Sequence, residues 1–182
     1  MDRDEAFKKI DDIARKGDPD ELKAILEAYP DLNSARCGII NCGIMPIHYA
    51  AMAGNTRNIK VILEMGVDIN LKDAFGGWAP LHYAARFRKL RMVKYLCRHG
   101  ADVNARSSAL YTPLLIIASH EMSSPLKLME YLLEQGADPS ARSKYNEDVI
   151  DCMMKIVPGA TSEDILGAYH LLQKYGYTSQ TF

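Results

Sequence analysis

Apolar residues recur along most of the chain at intervals of three and four, which is the spacing of one face of an α-helix. The clearest examples are Ile59, Ile62 and Leu63 in one segment and Val93, Leu96 and Cys97 in a second segment 34 residues later. Each segment ends just before a glycine, Gly66 or Gly100, that is followed by a polar Asp-x-Asn sequence. Glycine supplies the left-handed backbone that commonly ends a helix, and Asp-x-Asn suits a tight turn. The pattern predicts short amphipathic helices joined by turns.

A second set of short segments repeats with the same period. Pro46-Ile-His-Tyr-Ala-Ala51 returns 34 residues later as Pro80-Leu-His-Tyr-Ala-Ala85, and 33 residues after that as Pro113-Leu-Leu-Ile-Ile-Ala118. The glycine motif follows the three prolines after 20, 20 and 23 residues. Proline suits the first turn of a helix, because its missing N–H would have no intrahelical partner there. Two markers with one period indicate a tandem helix–turn–helix repeat, whose neighbouring copies stack to bury their apolar faces.

The repeat resembles the ankyrin repeat family, whose period is about 33 residues and whose signature is T-P-L-H-x-A. The matching segments are Met45-Pro-Ile-His48, Ala79-Pro-Leu-His82 and Thr112-Pro-Leu-Leu115. The resemblance implies an all-α solenoid of about five helix–turn–helix repeats with short β-hairpin fingers, hence ten helices in five antiparallel pairs. It also implies that His48 and His82 link neighbouring turns by hydrogen bonds and have no catalytic role.

The repeat boundaries predict one domain, residues 1–182, with the first and last copies acting as caps. The copies are residues 4–36, 37–70, 71–104, 105–140 and 141–182. The first copy lacks its proline and is rich in charge, as a solvent-facing cap requires. In the last copy Val149 replaces the proline and Asp151 replaces the histidine, and Ser162 begins the second helix.

Departures from the repeat mark candidate functional positions. Gly17 and Gly54 occupy the turn between the two helices, where we expect a left-handed backbone. Arg88 and Glu121 stand at the equivalent positions of copies three and four, and copy four also has extra residues from His120 to Pro125. Two interpretations remain open: drift on a tolerant surface loop, or contact with a partner.

The charge is unevenly distributed along a chain whose formal net charge is −1. Residues 86–106 carry a net charge of +6, whereas residues 1–36 carry −3 and residues 107–182 carry −4. The basic band is either an ordinary solvated helix face or the complement of an acidic patch on a protein partner. It is too short for us to expect nucleic-acid binding.

Other classes of protein are not expected from the sequence. No stretch approaches the roughly 18 uninterrupted apolar residues of a membrane span. The four cysteines are scattered, and Cys37 and Cys42 match no common zinc pattern, so we expect reduced thiols and neither metal nor cofactor. No phosphate-binding loop, nucleophile elbow or HExxH motif occurs, which argues against an enzyme. We expect a monomer in the cytoplasm or the nucleus.

Aromatic and basic residues cluster at the predicted finger tips. Two residues before each helix start lie Ile44, Trp78, Tyr111 and Glu147, which stacking should place side by side on the concave surface. The predicted partner-binding residues are Ile44, Phe75, Trp78, Arg86, Phe87, Arg88, Tyr111, His120 and Glu147. Trp, Tyr and Arg dominate binding energy at protein interfaces. The alternative for Trp78 is that its ring folds back onto its own hairpin.

The sequence therefore predicts a non-catalytic adaptor or inhibitor that binds another protein bearing an acidic or mixed apolar and acidic patch. The alternative is a substrate-recruiting or targeting module of a larger enzyme assembly such as a ubiquitin ligase. A modification is also predicted, because Leu96, Asp102 and Asn104 resemble the finger pattern in which an asparaginyl hydroxylase modifies ankyrin repeats. That resemblance makes Asn104 a candidate hydroxylation site.

Overall fold

A computed structural model describes residues 2–33, 43–119, 126–156 and 161–178 of the chain. Within those ranges the chain forms ten α-helices and one 3-10 turn, and no strand. The elements are α1 Arg3–Lys16, α2 Pro19–Ala28, the 3-10 turn Pro30–Asn33, α3 Pro46–Ala53, α4 Thr56–Glu64, α5 Pro80–Arg86, α6 Leu90–Arg98, α7 Pro113–Ala118, α8 Leu126–Glu134, α9 Val149–Ile156 and α10 Ser162–Lys174. The predicted all-α repeat fold is confirmed.

The chain forms two compact units, Met1–Asp102 and Val103–Phe182. In the first unit α3 packs against both α1 and α5, and each of these inner helices pairs with the outer helix that follows it. In the second unit α7 packs against α9, and α8 packs against α10. Within each unit, the odd-numbered helices therefore form one layer and the even-numbered helices a second.

Small residues allow the inner helices to approach closely. Ala50 and Ala51 of α3 and Ala84 and Ala85 of α5 are all completely buried. In the outer helices the predicted apolar stripe is buried at Ile59, Ile62, Val93 and Leu96, while Leu63 and Cys97 lie half-buried at its edge. Each fully buried aliphatic side chain contributes about 1.5–3 kcal/mol, so stacking supplies most of the stability.

The glycine caps of the outer helices are confirmed. The φ angles of Gly66, Gly100 and Gly136 are 83°, 91° and 89°, which is the left-handed region. Gly176, after α10, has a φ of 90° and repeats the same cap in the fifth copy.

The turns between paired helices follow the prediction at one glycine and not at the other. Gly54 is left-handed with a φ of 81°, and Arg88 takes the same conformation in the next copy with a φ of 52°. The prediction for Gly17 is wrong, because its φ is −70°. Glycine is required there by proximity instead: a Cβ on Gly17 would lie 2.7 Å from the carbonyl oxygen of Ile13. Glu121 lies outside the described residues.

Candidate functional site

Each of the three fingers that lead into α5, α7 and α9 is closed by the same kind of backbone hydrogen bond. The first finger residue donates its N–H to the carbonyl of the tip residue, and the pairs are Asp73 with Trp78 at 3.0 Å, Ser107 with Tyr111 at 3.0 Å and Ser143 with Glu147 at 2.9 Å. Each finger is thus a closed hairpin turn, although the described residues contain no strand ladder there. The tip residues are the positions that the repeat spacing selects.

The residue before each finger tip is left-handed. The φ angles are 70° at Gly43, 66° at Gly77, 61° at Leu110 and 60° at Asn146. Glycine and asparagine tolerate this conformation, whereas it costs a residue such as leucine about 1–2 kcal/mol. Leu110 is also 41% exposed, so folding gains little from its side chain. It therefore combines backbone strain with an exposed apolar surface, a combination often found at functional positions.

A buried carboxylate shapes the finger of copy three. Asp73 is 5% exposed and accepts hydrogen bonds from five donors. They are the N–H groups of Phe75 at 2.9 Å, Gly76 at 2.6 Å, Gly77 at 3.1 Å and Trp78 at 3.2 Å and the hydroxyl of Tyr83 at 2.9 Å. Burial and this contact with Asp73 raise the pKa of Tyr83, so its hydroxyl stays protonated as the donor. The finger is consequently rigid before any partner arrives.

Trp78 is half-buried, and its ring packs on its own hairpin and helix. Its centroid lies 5.3 Å from that of Tyr83 and 5.9 Å from that of His82. A Cβ on Gly76 would come within 2.9 Å of the indole, so glycine is required beneath it. Trp78 therefore has a structural role in the finger, and the rest of its surface remains exposed.

Among the described residues, Phe75 is the most exposed of the large apolar side chains, at 81%. It lines an open depression of about 340 Å³ together with Trp78, Tyr83 and Arg86. Single exposed apolar residues are common, but an aromatic side chain on a rigid finger beside two other aromatic rings forms an apolar patch. A partner side chain entering this depression would contact the aromatic rings and Arg86.

Arg86, the last residue of α5, borders the same depression, and Phe87 and Arg88 follow it in the sequence. The guanidinium carbon of Arg86 lies 5.9 Å from the ring centroid of Trp78 and 5.9 Å from that of Phe87, within cation–π range. Phe87 is 43% exposed. Partial burial lowers the pKa of Arg88, whose ordinary value is so high that its guanidinium remains charged at neutral pH.

In the second unit, the tips Tyr111 and Glu147 contact each other directly. The Tyr111 hydroxyl donates to Oε2 of Glu147 at 3.0 Å. Partial burial, reinforced by this bond, raises the pKa of Tyr111 to about 12. Lys155 approaches Oε1 of Glu147 at 3.5 Å. In the first unit, Ile44 is half-buried at the tip of the preceding finger.

One predicted binding residue is not in the part of the chain that the structure describes, and one exposed aromatic residue of a finger was not predicted. His120 lies outside the described residues. Tyr145 is 62% exposed and stands two residues after Ser143, as Phe75 stands two residues after Asp73. Aligning the fingers from their first residue, rather than from the helix start alone, would have revealed this second exposed aromatic.

His48 has the structural role implied by the resemblance. Its Nδ1 accepts the N–H of Met45 at 2.9 Å, so Nε2 carries the proton and donates to the Leu71 carbonyl at 2.8 Å. The first bond caps α3, and the second reaches the finger of the next copy. Burial lowers the pKa of His48, which keeps the ring neutral. His82 repeats the local cap, with Nδ1 accepting the N–H of Ala79 at 3.1 Å.

Asparagines link the starts of consecutive fingers. Asn104 accepts the N–H of Asp138 at 2.8 Å and donates to the Gly136 carbonyl at 2.9 Å. Asn70 makes the equivalent pair of bonds, to Asp102 at 2.8 Å and to Gly100 at 3.4 Å. Asn104 is exposed, so the same residue combines a structural bond with access from solvent.

Two of the cysteines are unreactive thiols. Burial raises the pKa of Cys97 to about 11 and that of Cys152 to about 12, so both are protonated at neutral pH. Cys37 and Cys42 lie outside the described residues. Within the described ranges, no group of three or more His, Cys, Asp or Glu side chains is placed to hold a metal. In the same ranges no helix is both long and apolar enough to cross a bilayer.

Comparison with known proteins agrees with this architecture. A family model described as Ankyrin repeats (3 copies) matches residues 11–107 and 66–143, well over half of the chain. The probable E3 ubiquitin-protein ligase XBOS32 of Oryza sativa subsp. japonica is 41% identical over 63 residues, and the E3 ubiquitin-protein ligase XBAT32 of Arabidopsis thaliana is 40% identical over 63 residues. Each match covers 35% of this chain and 12% of the relative's length. The chain therefore belongs to the ankyrin repeat family, whose repeats serve as protein–protein interaction modules.

Proposed function

We propose that this chain is a non-catalytic adaptor or inhibitor that binds another protein through its finger residues. The proposed binding residues, called the finger surface below, are Ile44, Phe75, Trp78, Arg86, Phe87 and Arg88 in the first unit and Leu110, Tyr111, Tyr145 and Glu147 in the second. The observation that carries the proposal is the 81% exposure of Phe75 on a finger fixed by the buried Asp73. A rigid aromatic anchor loses little conformational freedom on binding.

The chemistry of the first-unit residues defines the partner. Phe75 and Phe87 offer exposed rings, and the Arg86 guanidinium lies 5.9 Å from the ring centroids of both Phe87 and Trp78. An apolar side chain would fill the depression beside Phe75, while a neighbouring carboxylate would pair with the guanidinium of Arg86. The finger surface therefore suits a partner segment with an apolar anchor and acidic flanks.

The test compares partner capture by variants of the exposed residues. Phe75→Ala combined with Arg86→Glu should abolish capture of the proteins that wild type enriches from native lysate, because it removes both the anchor and the charge. Trp78→Ala with Tyr111→Ala should also abolish capture. Because the Trp78 ring is half-buried, its removal should lower the stability of the protein as well. Leu166→Ala is the control, since Leu166 is 53% exposed and belongs to α10 and not to a finger. Wild-type capture by the folded Phe75/Arg86 variant would refute the finger surface.

A second candidate is a targeting module within a ubiquitin-ligase assembly. The observation that favours it is the similarity to two E3 ubiquitin-protein ligases over 63 residues. The chain matches 12% of each ligase, so their activity does not transfer with the match. The endogenous protein would be captured and supplied with ubiquitin, activating enzyme and a panel of conjugating enzymes. Ubiquitin transfer to the bound partner would support this candidate, and its absence would favour the free-standing adaptor or inhibitor.

We also propose Asn104 as a hydroxylation site, on the resemblance of Leu96, Asp102 and Asn104 to the modified finger pattern. Asn104 is exposed, and both polar atoms of its amide are hydrogen-bonded, so the side chain is held in one position that solvent can reach. Asn70 is the matched comparison, since it makes the equivalent bonds with Ile62 at the leucine position. Mass spectrometry of protein from cells containing the hydroxylase should find one added oxygen at Asn104; unmodified Asn104 contradicts the proposal.

A further inference from the structure

A basic groove runs between the outer helices α4 and α6 of the first unit. Its volume is about 350 Å³, and five cationic side chains line it. They are Arg57 and Lys60 on α4 and Arg91, Lys94 and Arg98 on α6. None of them belongs to the finger surface, so this outer-helix groove is a separate feature of the molecule.

The groove arginines differ from the other exposed cations of the first unit. Within the described residues, the groove arginines Arg57, Arg91 and Arg98 make no ion pair, whereas Lys60 lies 3.7 Å from a carboxylate oxygen of Glu64. By contrast, the exposed lysines of α1 and α2 lie near acids one helical turn away. Those pairs are Lys9 with Glu5 at 2.6 Å, Lys16 with Asp12 at 3.5 Å and Lys23 with Glu27 at 3.9 Å. The positive charge of these lysines is therefore balanced by a nearby acid, whereas that of the three groove arginines is not.

The cations are arranged in register along the helices. Arg91, Lys94 and Arg98 lie three and then four residues apart, so they fall on one face of α6 over two turns, about 10 Å. Beside Arg98 the rings of Tyr95 and His99 stack with centroids 4.0 Å apart and an interplanar angle of 19°. The groove thus presents a row of cations with a flat aromatic surface along one wall.

We propose that the outer-helix groove binds an acidic segment of a protein. Arginine forms paired hydrogen bonds with carboxylates, and a segment of a few residues bearing several carboxylates matches a row two turns long. A long polyanion fits less well, because the chain as a whole carries a formal net charge of −1. A nucleic acid would also need more phosphate contacts than five side chains provide.

The site is a second contact point, which does not depend on the finger surface. An isolated acidic peptide that contacts the groove alone would bind even when the fingers are mutated. Because four of the five cations are exposed and Lys94 is half-buried, their attraction should speed association and should weaken as salt rises. A loss of binding at the groove and a loss at the fingers are therefore separable by variants.

The test uses a fluorescein-labelled oligoglutamate peptide and fluorescence anisotropy at low salt. Arg91→Glu with Arg98→Glu should weaken binding by about tenfold or more, since each reversal replaces attraction by repulsion. Lys16→Glu with Lys23→Glu makes the same charge change in the same unit, at paired lysines, and should change the affinity less than about twofold. Circular dichroism checks that all variants remain folded.

Two outcomes would overturn the proposal. Equal weakening in the Arg91/Arg98 and Lys16/Lys23 variants would show that the peptide responds only to net charge. Tighter binding of a labelled single-stranded oligonucleotide of the same charge, lost in the Arg91/Arg98 variant, would assign the groove to nucleic acid instead. A peptide that binds more tightly than the oligonucleotide and loses affinity only in the groove variant supports it.

Discussion

The start of the inner helix is held differently in the second copy and in the fifth. In the second copy His48 caps α3 through Nδ1 and reaches the Leu71 carbonyl through Nε2. In the fifth copy Asp151 accepts the N–H of Asp148 at 3.1 Å, and Asp148 accepts the N–H of Asp151 at 3.0 Å. The local cap is therefore preserved with different chemistry, but a carboxylate has no proton to donate to a neighbouring carbonyl.

The fourth copy also caps its inner helix, and like the fifth copy it lacks the histidine. Leu115 occupies the histidine position and is completely buried, and the hydroxyl of Thr112 caps α7 by accepting the N–H of Leu115 at 3.3 Å. In the second unit Lys144 donates its N–H to the Ala109 carbonyl at 3.0 Å, which joins two fingers directly. The comparison shows that a helix cap is easily replaced, whereas the bond from cap to finger requires a side chain with two functional ends.

The largest expected effect on stability comes from replacing His48, whose two ring nitrogens make both bonds. His48→Leu copies the side chain of the fourth copy, but it leaves the Met45 N–H and the Leu71 carbonyl without their partner. Unsatisfied buried groups cost about 1–3 kcal/mol each, so we expect a loss of about 3 kcal/mol in the free energy of unfolding by urea. His170→Leu, at an exposed position on α10, is the control. Similar losses in the two variants would show that the His48 bonds contribute little.

The next effect is a difference in local stability along the chain. Because the fourth and fifth copies lack the histidine, and the fourth has an extended turn sequence, we expect their helices to open first. Native-state hydrogen exchange should give opening free energies in α7 to α10 lower by about 1.4 kcal/mol, or tenfold in exchange rate, than in α3 to α6. Earlier opening of α3 to α6 would contradict this interpretation.

A smaller effect should follow from relieving strain in a finger. Leu110 is left-handed where the other fingers have Gly43, Gly77 and Asn146. Leu110→Asn should therefore stabilise the protein by about 1 kcal/mol, measured as a shift of the urea midpoint at constant slope. Leu166→Asn, which changes another exposed leucine without relieving strain, should not stabilise. An unchanged or lower midpoint for Leu110→Asn would show that the strain is small.

The smallest effect is a pH dependence. Burial lowers the pKa of His48 below its ordinary value of 6.5, so the unfolded chain binds a proton more readily than the folded one. The contribution of neutral His48 to the free energy of unfolding is fully present above the pKa of the unfolded chain. It is lost as the pH falls from there towards the pKa of the folded chain, and we expect a loss of less than about 1 kcal/mol between pH 7 and pH 6. His48→Asn retains an acceptor for the cap and cannot titrate. The stability of wild type should fall more steeply over this range than that of His48→Asn; equal slopes would exclude His48 as the cause.

The fold could be predicted from the sequence because the motifs that begin and end its helices are local. A proline begins α3, α5 and α7, and a left-handed glycine ends α4, α6 and α8, so period and pairing follow directly. The prediction for Gly17 is wrong because a left-handed cap is only one way to end a helix, and here the backbone is extended and lies close to Ile13, one turn earlier. The buried Asn58, which donates to the Ile13 carbonyl at 2.9 Å and the Ala14 carbonyl at 3.1 Å, was missed because these contacts join residues more than 40 positions apart.

The sequence predicts where the candidate site lies along the chain, but it does not predict which of the site's side chains are exposed. Counting from the helix start identifies the finger tips, yet only side-chain packing distinguishes the half-buried Trp78 from the exposed Phe75. The five donors on Asp73 explain why this finger is rigid, and they depend on a turn geometry that residue spacing alone does not specify.

Hydrogen-exchange footprinting of the chain bound to a captured partner tests the finger surface most directly. The amides of residues 74–79 and 108–112 should become protected on binding, with smaller changes at the outer helices α4 and α6. The Phe75/Arg86 variant, mixed with the same partner, should show no protection at these fingers. Protection confined to α4 and α6, with the fingers unchanged, would contradict the finger surface as the main binding site.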